Sequence, residues 1–275
     1  MRIGPAVDGR QERPSASGFL SGLSPSAASD FDSIKVTTTY PAGATMFVEG
    51  EQPQGIFVLL SGRVKLSMSS ASGKMMILRI VKPGEVLGLH AIVSATSFQS
   101  TAETAEPCRV SFVRKDEFLR FLRENPQASL EAARQLSASY QSACEHLRSI
   151  GMLDSARKKV ARFVLEWLEN GEMRSDGIRS TLTLTHEEIG QLIGSSRETI
   201  TRALAEFKSR RWISIKGSTM LVKNVDALKD VVGDDVPSSW AVGTAQVLPG
   251  SGLPPVTNFH GPALAGENFR QPRTA

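Results

Sequence analysis

The stretch "THEEIGQLIGSSRETITRAL", residues 185–204, decides the fold. Thr185 is followed three positions later by Glu188, which is the capping-box pattern that begins a helix. Gly194 is placed to end that helix, because glycine accepts the left-handed conformation that commonly closes one. A second helix is predicted to follow the two serines and to run to about Phe207. Two short helices joined by a tight turn are therefore expected here.

The residues that follow predict a β-hairpin. "WISIK" (212–216) and "TMLVK" (219–223) are short apolar runs on either side of a Lys216-Gly217-Ser218 turn. A helix, a tight glycine turn, a second helix and a hairpin make a winged helix-turn-helix. In that motif the N-terminal residues of the second helix face base edges in the major groove of DNA.

Three charged residues in the second helix are the candidate base readers: Arg197, Glu198 and Arg202. An arginine can bond the O6 and N7 atoms of guanine as a fork, and a glutamate can accept from the amino group of cytosine; a good bidentate pair contributes about 1–3 kcal/mol of discrimination. The alternative is an ion pair on the helix surface, which is worth only tenths of a kcal/mol. The surrounding motif favours base readout.

Contacts to the DNA backbone are predicted for Thr185, Ser196, Thr199 and Lys216, because hydroxyls, helix N-termini and lysines bond phosphate oxygens. The charge distribution agrees with this placement. Residues 155–223 hold 13 Lys and Arg against 8 Asp and Glu, a surplus of +5, while the whole chain of 275 residues carries +4 and has a pI near 9.2. The basic surface is therefore expected where the motif lies.

The region upstream has the pattern of short strands. Apolar runs separated by glycines predict an all-β sandwich or a barrel-like roll. The runs span residues 56–60, 64–68, 75–81 and 110–113.

A long helix is predicted to begin at Pro126, since proline is tolerated at the first helical position. Apolar residues then recur every three or four positions, close to a coiled-coil pattern, which predicts a dimer. The alternative is a helix packed on its own domain. This apolar stripe consists of Leu136, Tyr140, Ala143, Leu147 and Ile150.

Several classes of protein are disfavoured by composition. Two cysteines are too few for a disulfide scaffold, a cysteine-ligated iron–sulfur cluster or a four-cysteine zinc site. Four scattered histidines, with no phosphate loop and no metal-spaced cluster, argue against an enzyme and predict neither a cofactor nor a metal. No apolar run reaches the roughly 18–20 residues of a membrane span, so no membrane partner is expected and a cytoplasmic location is.

The stretch "HEEIGQLIGSSRETITRALAEF", together with "WISIKGS", closely resembles the Crp–Fnr family of bacterial transcription regulators. The resemblance covers about residues 31–225. The recognition helix of that family carries an S-R-E-T-x-x-R pattern, which is matched by Ser196, Arg197, Glu198, Thr199 and Arg202.

The resemblance implies an α+β chain. Its parts would be an N-terminal double-stranded β-helix of the jelly-roll, cyclic-nucleotide-binding-like type, a long dimerisation helix and a C-terminal winged helix-turn-helix. It also implies a homodimer on palindromic double-stranded DNA with TGTGA-like half-sites about 10 bp apart. RNA polymerase would be a further partner if the protein is an activator.

The sensor region departs from the cyclic-AMP-binding members, which carry a G-E-L step for the ribose and an R-S-A step for the cyclic phosphate. The gapless match replaces the glutamate by Leu89 and the arginine by Gln99, and an amide cannot neutralise a phosphate. A shifted register would bring Glu85 near the ribose position but is expected to supply no arginine. The candidate effector pocket comprises Gly88, Leu89, Gln99, Ser100, Ala143 and Cys144.

Two interpretations of the roll stay open. In the first, the charged cyclic-AMP anchors are lost and the effector is an unknown small molecule or none. In the alternative, the roll binds cyclic AMP or cyclic GMP as an allosteric switch.

The predicted segments are a disordered N-terminal arm (1–30), a β-roll sensor domain (31–125), a dimerisation helix (126–152), a winged helix-turn-helix domain (153–226) and a mostly disordered C-terminal tail (227–275).

Overall fold

The computed structural model describes residues 18–153, 155–168 and 171–233. Within them, three four-stranded antiparallel sheets form, two in an N-terminal roll and one in a C-terminal part that we call the head (residues 155–168 and 171–233). A long helix connects the roll to the head. No helix in the described ranges has the length and apolarity that a membrane crossing requires.

The roll places apolar residues between its two sheets because successive side chains of a strand alternate between its faces. One sheet has the order β1-β8-β3-β6 and the other β2-β7-β4-β5. The strands are β1 (Val36–Tyr40), β2 (Thr45–Phe47), β3 (Gly55–Ser61), β4 (Val64–Ser69), β5 (Met75–Val81), β6 (Val86–Leu87), β7 (Thr101–Thr104) and β8 (Cys108–Arg114). The four predicted runs coincide with β3, β4, β5 and β8, which confirms them.

Aromatic rings fill one end of the roll core. Phe98 lies 3.9 Å from Phe47, centroid to centroid, with the ring planes only 15° apart, and Phe57 also stacks with Phe47 at 5.9 Å. Phe98 and Phe47 are buried. These rings occupy the interior next to the turn where β6 leads into a short helix, α2 (Leu89–Val93).

The N-terminal segment corrects one prediction. Residues 18–30 were expected to be disordered, but a short 3-10 helix (Phe19–Gly22) and α1 (Pro25–Ile34) lie there. Ser24 caps α1, and Phe19 and Phe31 are fully buried with their ring centroids 5.9 Å apart. Two buried rings stabilise the segment despite its small, polar composition. Residues 1–17 lie outside the described residues.

Two helices follow the roll, α3 (Lys115–Glu124) and α4 (Pro126–Met152). The predicted long helix is confirmed with its bounds. Only Ala128 and Ala132 of α4 are fully buried in the chain, whereas Tyr140 and Leu147 keep 72% and 70% of their surface exposed. The centre of the apolar stripe is therefore uncovered by the chain's own roll.

The head is built around one apolar core that includes Val164, Ile189, Leu204 and Phe207. Its sheet has the order β11-β12-β10-β9. The elements are α5 (Ala156–Trp167), β9 (Glu172–Arg174), β10 (Gly177–Thr181), α6 (His186–Ile193), α7 (Arg197–Ser209), β11 (Ile213–Lys216), β12 (Thr219–Val222) and α8 (Val225–Val232).

Helix α8 corrects the predicted start of the C-terminal tail at residue 227. Asn224 caps this helix, and Leu228 and Val232 are fully buried in the head core. An apolar residue every four positions is enough to hold about two turns of helix against α5. The predicted disorder of residues 234–275 lies outside the described residues.

Candidate functional site

The helix-turn-helix has the caps that the sequence predicts. The hydroxyl of Thr185 accepts from the Glu188 N–H at 3.2 Å, and the Glu188 carboxylate accepts from the Thr185 N–H at 2.8 Å, so the capping box is complete. Gly194 closes α6 with φ 66° and ψ 46°. Ser196 caps α7 by accepting from the Thr199 N–H at 3.3 Å.

Gly190 explains why the turn between the helices can be so tight. A Cβ at this position would lie 2.5 Å from the carbonyl oxygen of Ser195, closer than any carbon tolerates. The Ser195 N–H in turn donates to the Gly190 carbonyl at 2.9 Å. The backbones of α6 and of the turn therefore touch directly, which fixes the angle between α6 and α7.

The three predicted base readers lie on the outer face of α7. Arg197, Glu198 and Arg202 are exposed, whereas the opposite face of the helix packs into the head core. The backbone N–H of Glu198 and the Ser196 hydroxyl hold the pKa of the Glu198 carboxyl below its usual value, and the two arginines lower it further. The helix thus presents an ionised carboxylate between two guanidinium groups.

The predicted backbone-contact residues surround this face. The Ser196 and Thr199 hydroxyls lie 3.0 Å apart at the N-terminus of α7, and Lys216 is exposed where β11 enters its turn. The Thr185 hydroxyl also donates to the Glu188 carboxylate at 2.9 Å. Three side chains are thus oriented at the surface, while the hydroxyl of Thr185 already has two partners within its cap.

His186 is a residue of this site that the sequence analysis missed. Its Nδ1 lies 2.8 Å from the Thr201 hydroxyl, which donates to the Arg197 carbonyl at 2.9 Å. Burial lowers the pKa of His186 below its usual value, and nearby Lys208 and Arg197 lower it further. The contact ties the first turn of α6 to α7. A spacing of 15 residues between His186 and Thr201 gives no periodic signal that could have revealed it.

The candidate effector-pocket residues fall into different environments. Leu89 is buried in the core between the roll and its helices, where it joins Ile56 and Val86. Gln99 is exposed and Ser100 half-buried. Gly88 lies against the Phe98 ring, and a Cβ there would be 3.0 Å from it, while Ala143 and Cys144 are exposed on α4. Leu89 therefore does not share an environment with Gln99, Ala143 and Cys144.

The roll holds an ion pair that the sequence analysis missed. Arg79 on β5 is directly opposite Leu66 on β4, whose side chain packs on the roll core, so Arg79 is on the inner face. It pairs with Glu85, and the two side chains are 19% and 23% exposed. Arg79 precedes the segment that is matched to the family's ribose and phosphate steps, so the expectation that a shifted register supplies no arginine there stays a prediction. Alternation along "MMILRIV" was the signal that could have placed Arg79 inside.

The outer face of β4 and its neighbours contacts the head. Lys65 bridges Glu103 of β7 and Glu188 of α6 at 2.7 Å and 2.5 Å. Arg63 lies 4.4 Å above the Trp167 ring and donates to the Thr181 carbonyl at 2.9 Å. Ile80 and Ala105 of the roll pack on the head core. A charged and an apolar contact therefore join the two parts.

Comparison with known proteins decides the family. The model of the cyclic nucleotide-binding domain matches residues 37–125, and that of the Crp-like helix-turn-helix domain matches residues 158–231. The CRP-like cAMP-activated global transcriptional regulator of Mycobacterium tuberculosis is 29% identical over 212 residues, which cover 77% of this chain and 94% of that protein. The chain belongs to the Crp–Fnr family of transcription regulators.

Other family members agree on the architecture. The cAMP-activated regulator CRP of Escherichia coli O157:H7 is 25% identical over 186 residues, covering 66% of this chain and 87% of that protein. The structure of FixK2 from Bradyrhizobium japonicum has a TM-score of 0.66 at 20% identity, covering 73% of this chain and 98% of that one. The c-di-GMP responsive regulator CLP of Xanthomonas campestris has a TM-score of 0.62 at 16% identity, covering 72% and 99%. These structures confirm the α+β fold with a β-roll, a long helix and a winged helix-turn-helix.

Proposed function

We propose that this Crp–Fnr regulator binds palindromic DNA with TGTGA-like half-sites as a homodimer. The observation that carries the proposal is the exposed Arg197-Glu198-Arg202 face of α7, held outward by two capped helices. A carboxylate would repel the phosphate backbone, but it can accept from a cytosine amino group between two arginines that bond guanine. The relatives are transcription regulators and not enzymes, in keeping with this role.

The dimer is supported by α4. Tyr140 and Leu147 lie about three turns and one turn, respectively, before the end of a 27-residue helix and are among the most exposed apolar residues of the described chain. A second copy of the same helix would cover both, since a two-fold interface uses the same patch twice. Two recognition helices related in this way meet half-sites about one helical turn of DNA apart.

The test is binding to labelled duplexes with and without a TGTGA palindrome at matched salt. We expect Arg202→Ala to relax base choice at one position of each half-site. Lys216→Ala should weaken binding to all sequences alike and reduce the salt slope by about 1, as for a lost phosphate contact. Equal affinity of the native protein for both duplexes would contradict the proposed specificity.

For the roll, we propose that the two charged cyclic-AMP anchors are absent at the family positions, where Leu89 and Gln99 stand. Leu89 is buried among apolar side chains and Gln99 is exposed, so neither offers a charge to a ligand. An effector, if one acts here, is then a small molecule recognised by other residues.

A second candidate is a cyclic-nucleotide-responsive regulator, and one observation favours it. Arg79 and Glu85 supply one charge of each sign on the inner side of the roll, at positions other than the family anchors. The Mycobacterium tuberculosis relative is cAMP-activated. Calorimetric titration with cyclic AMP and cyclic GMP separates the two candidates. Micromolar binding that Arg79→Gln abolishes would establish the second, and an absence of heat with either nucleotide would support the first.

One further partner and a cellular location follow from the same proposal. A regulator bound beside a promoter as an activator would contact RNA polymerase. We also propose a cytoplasmic location, because the DNA target of a bacterial regulator lies there.

A further inference from the structure

The contact between the roll and the head is centred on one lysine. Lys65 Nζ lies 2.5 Å from a carboxylate oxygen of Glu188 and 2.7 Å from one of Glu103, and its side chain is only 13% exposed. Glu103 belongs to the roll and Glu188 to the head. The lysine therefore has one partner on each side of the contact.

Glu188 does two things at once. One of its carboxylate oxygens completes the capping box of α6, and the other pairs with Lys65. Burial alone would raise the pKa of Glu188, but the hydrogen bonds from Lys65 and Thr185 outweigh this and hold it below its usual value. The first turn of α6 is thereby connected to β4 through a single ionised group.

Arg63, two residues before Lys65 and on the same outer face of the roll, supports the contact with the head. Its guanidinium lies over the Trp167 ring at 4.4 Å and donates to the Thr181 carbonyl at 2.9 Å. The Trp167 indole N–H donates to the same carbonyl at 3.0 Å. The head is thus held at two of its elements, α5 and α6, and its rotation against the roll is opposed at both.

The Lys65–Glu188 ion pair can separate without leaving either charged group without a hydrogen-bond partner. If the head moves away, Lys65 retains Glu103 within the roll, and Glu188 retains Thr185 within the head. Breaking a buried ion pair is usually strongly unfavourable because one charge loses its only partner. Here each charge keeps a partner, so the contact is a reversible one.

We propose that the Lys65–Glu188 bridge positions the head on the roll and so sets the spacing between half-sites that the dimer accepts. The proposal rests on the dimeric DNA binding proposed above. In a dimer the separation of the two α7 helices depends on how each head sits on its own roll and long helix. Lys65 is a positioning residue: it acts on DNA through Glu188 and α6, without touching a base.

The experiment measures binding to operators that keep both half-sites but differ in their separation by −2, −1, 0, +1 and +2 bp. The variants are Lys65→Met, Glu188→Gln and the double variant. Glutamine at this capping-box position preserves the helix cap while removing the charge. Lys74→Met is the matched control, because Lys74 is an exposed lysine on the turn between β4 and β5.

We expect the native protein and Lys74→Met to favour one separation. Lys65→Met and Glu188→Gln should each lower that preference by about fivefold or more, at the lower end of measured coupling between sites. The double variant should be no worse than either single one, since both remove the same contact. Preference for the TGTGA bases over a scrambled half-site should stay unchanged in every variant.

Three outcomes overturn the inference. An unaltered spacing profile in Lys65→Met and Glu188→Gln would show that the bridge positions nothing, while leaving sequence-specific binding intact. A uniform loss at all separations with a smaller salt slope would make Lys65 a phosphate contact. Failure of the native protein to prefer the palindrome would remove the proposed function itself. Should Lys65→Met fail to fold by circular dichroism, Glu188→Gln carries the same comparison.

Discussion

Replacing Leu147 by alanine is expected to weaken dimerisation without weakening the fold of the single chain. Leu147 lies on α4 and is 70% exposed. Full burial of a leucine contributes about 1.5–3 kcal/mol, so roughly 1–2 kcal/mol remains for a partner helix to provide. A two-fold interface contains Leu147 from both subunits, so the variant loses about 2–4 kcal/mol per dimer. This loss corresponds to an increase of about 30- to 700-fold in the Kd of dimerisation.

The measurement is sedimentation equilibrium over a concentration series. Met173→Ala is the matched control, because Met173 is 79% exposed on β9, in the head and away from the apolar stripe of α4. Alanine favours a helix, so Leu147→Ala should leave the thermal unfolding of the single chain almost unchanged. Equal dimer dissociation constants for the native protein, Leu147→Ala and Met173→Ala would refute the assignment of the stripe to an interface.

Three further predictions concern stability and DNA binding. Because the pKa of Glu188 is lowered in the folded protein, its ionised carboxylate contributes stability above about pH 4.5, its ordinary pKa, and this stability is lost as the pH falls through the lowered pKa. The unfolding free energy of Glu188→Gln should therefore fall less steeply on acidification than that of the native protein. Identical curves would contradict this. Phe98→Ala should cost about 3–5 kcal/mol in urea unfolding and Phe98→Leu less, because a ring stacked at 3.9 Å on Phe47 is lost; equal stabilities would show that the stack contributes little. Ser196→Ala should lose about 0.5–2 kcal/mol of stability in urea unfolding, because α7 loses its cap. Ser196→Asp keeps the cap and should therefore be as stable as the native protein, but it should bind DNA more weakly in a gel-shift titration. A stable Ser196→Ala, or a Ser196→Asp that binds DNA as tightly as the native protein, would contradict these expectations.

The sequence predicted the head's reading elements because their signals are local. A capping box, a glycine closure and a serine cap each lie within four residues, and the structure has all of them at Thr185, Gly194 and Ser196. The long helix could be predicted equally well, since its 27 residues contain several repeats of its apolar pattern. Caps and periodicity depend on backbone geometry that neighbouring residues decide.

Several features of the roll could not be predicted from the sequence in the same way. Strand β6 has only two residues, and β1 is a threonine-rich strand whose side chains are mostly exposed, so neither has an apolar alternation to detect. The partners of Arg79 and Lys65 come from other elements, and the Lys65–Glu188 bridge spans 123 residues. Long-range pairing of this kind depends on sheet register and on how the head docks, which a single sequence does not express as a pattern.

The buried position of Phe19 has a practical consequence for where the chain can be cut. Phe19 is fully buried in the core between the roll and its helices, and its N–H donates to the Gly84 carbonyl at 3.0 Å. The carbonyl of Gly22 accepts from the side chain of Gln127 on α4 at 2.9 Å. A truncation placed before residue 18 leaves these contacts intact. One placed at the first strand would remove Phe19 and Phe31 and so uncover the rings of Phe118 and Phe121 on α3, against which they pack. It would also release the start of α4, so a shortened protein meant for binding or crystallisation work should retain the residues from 18 onward.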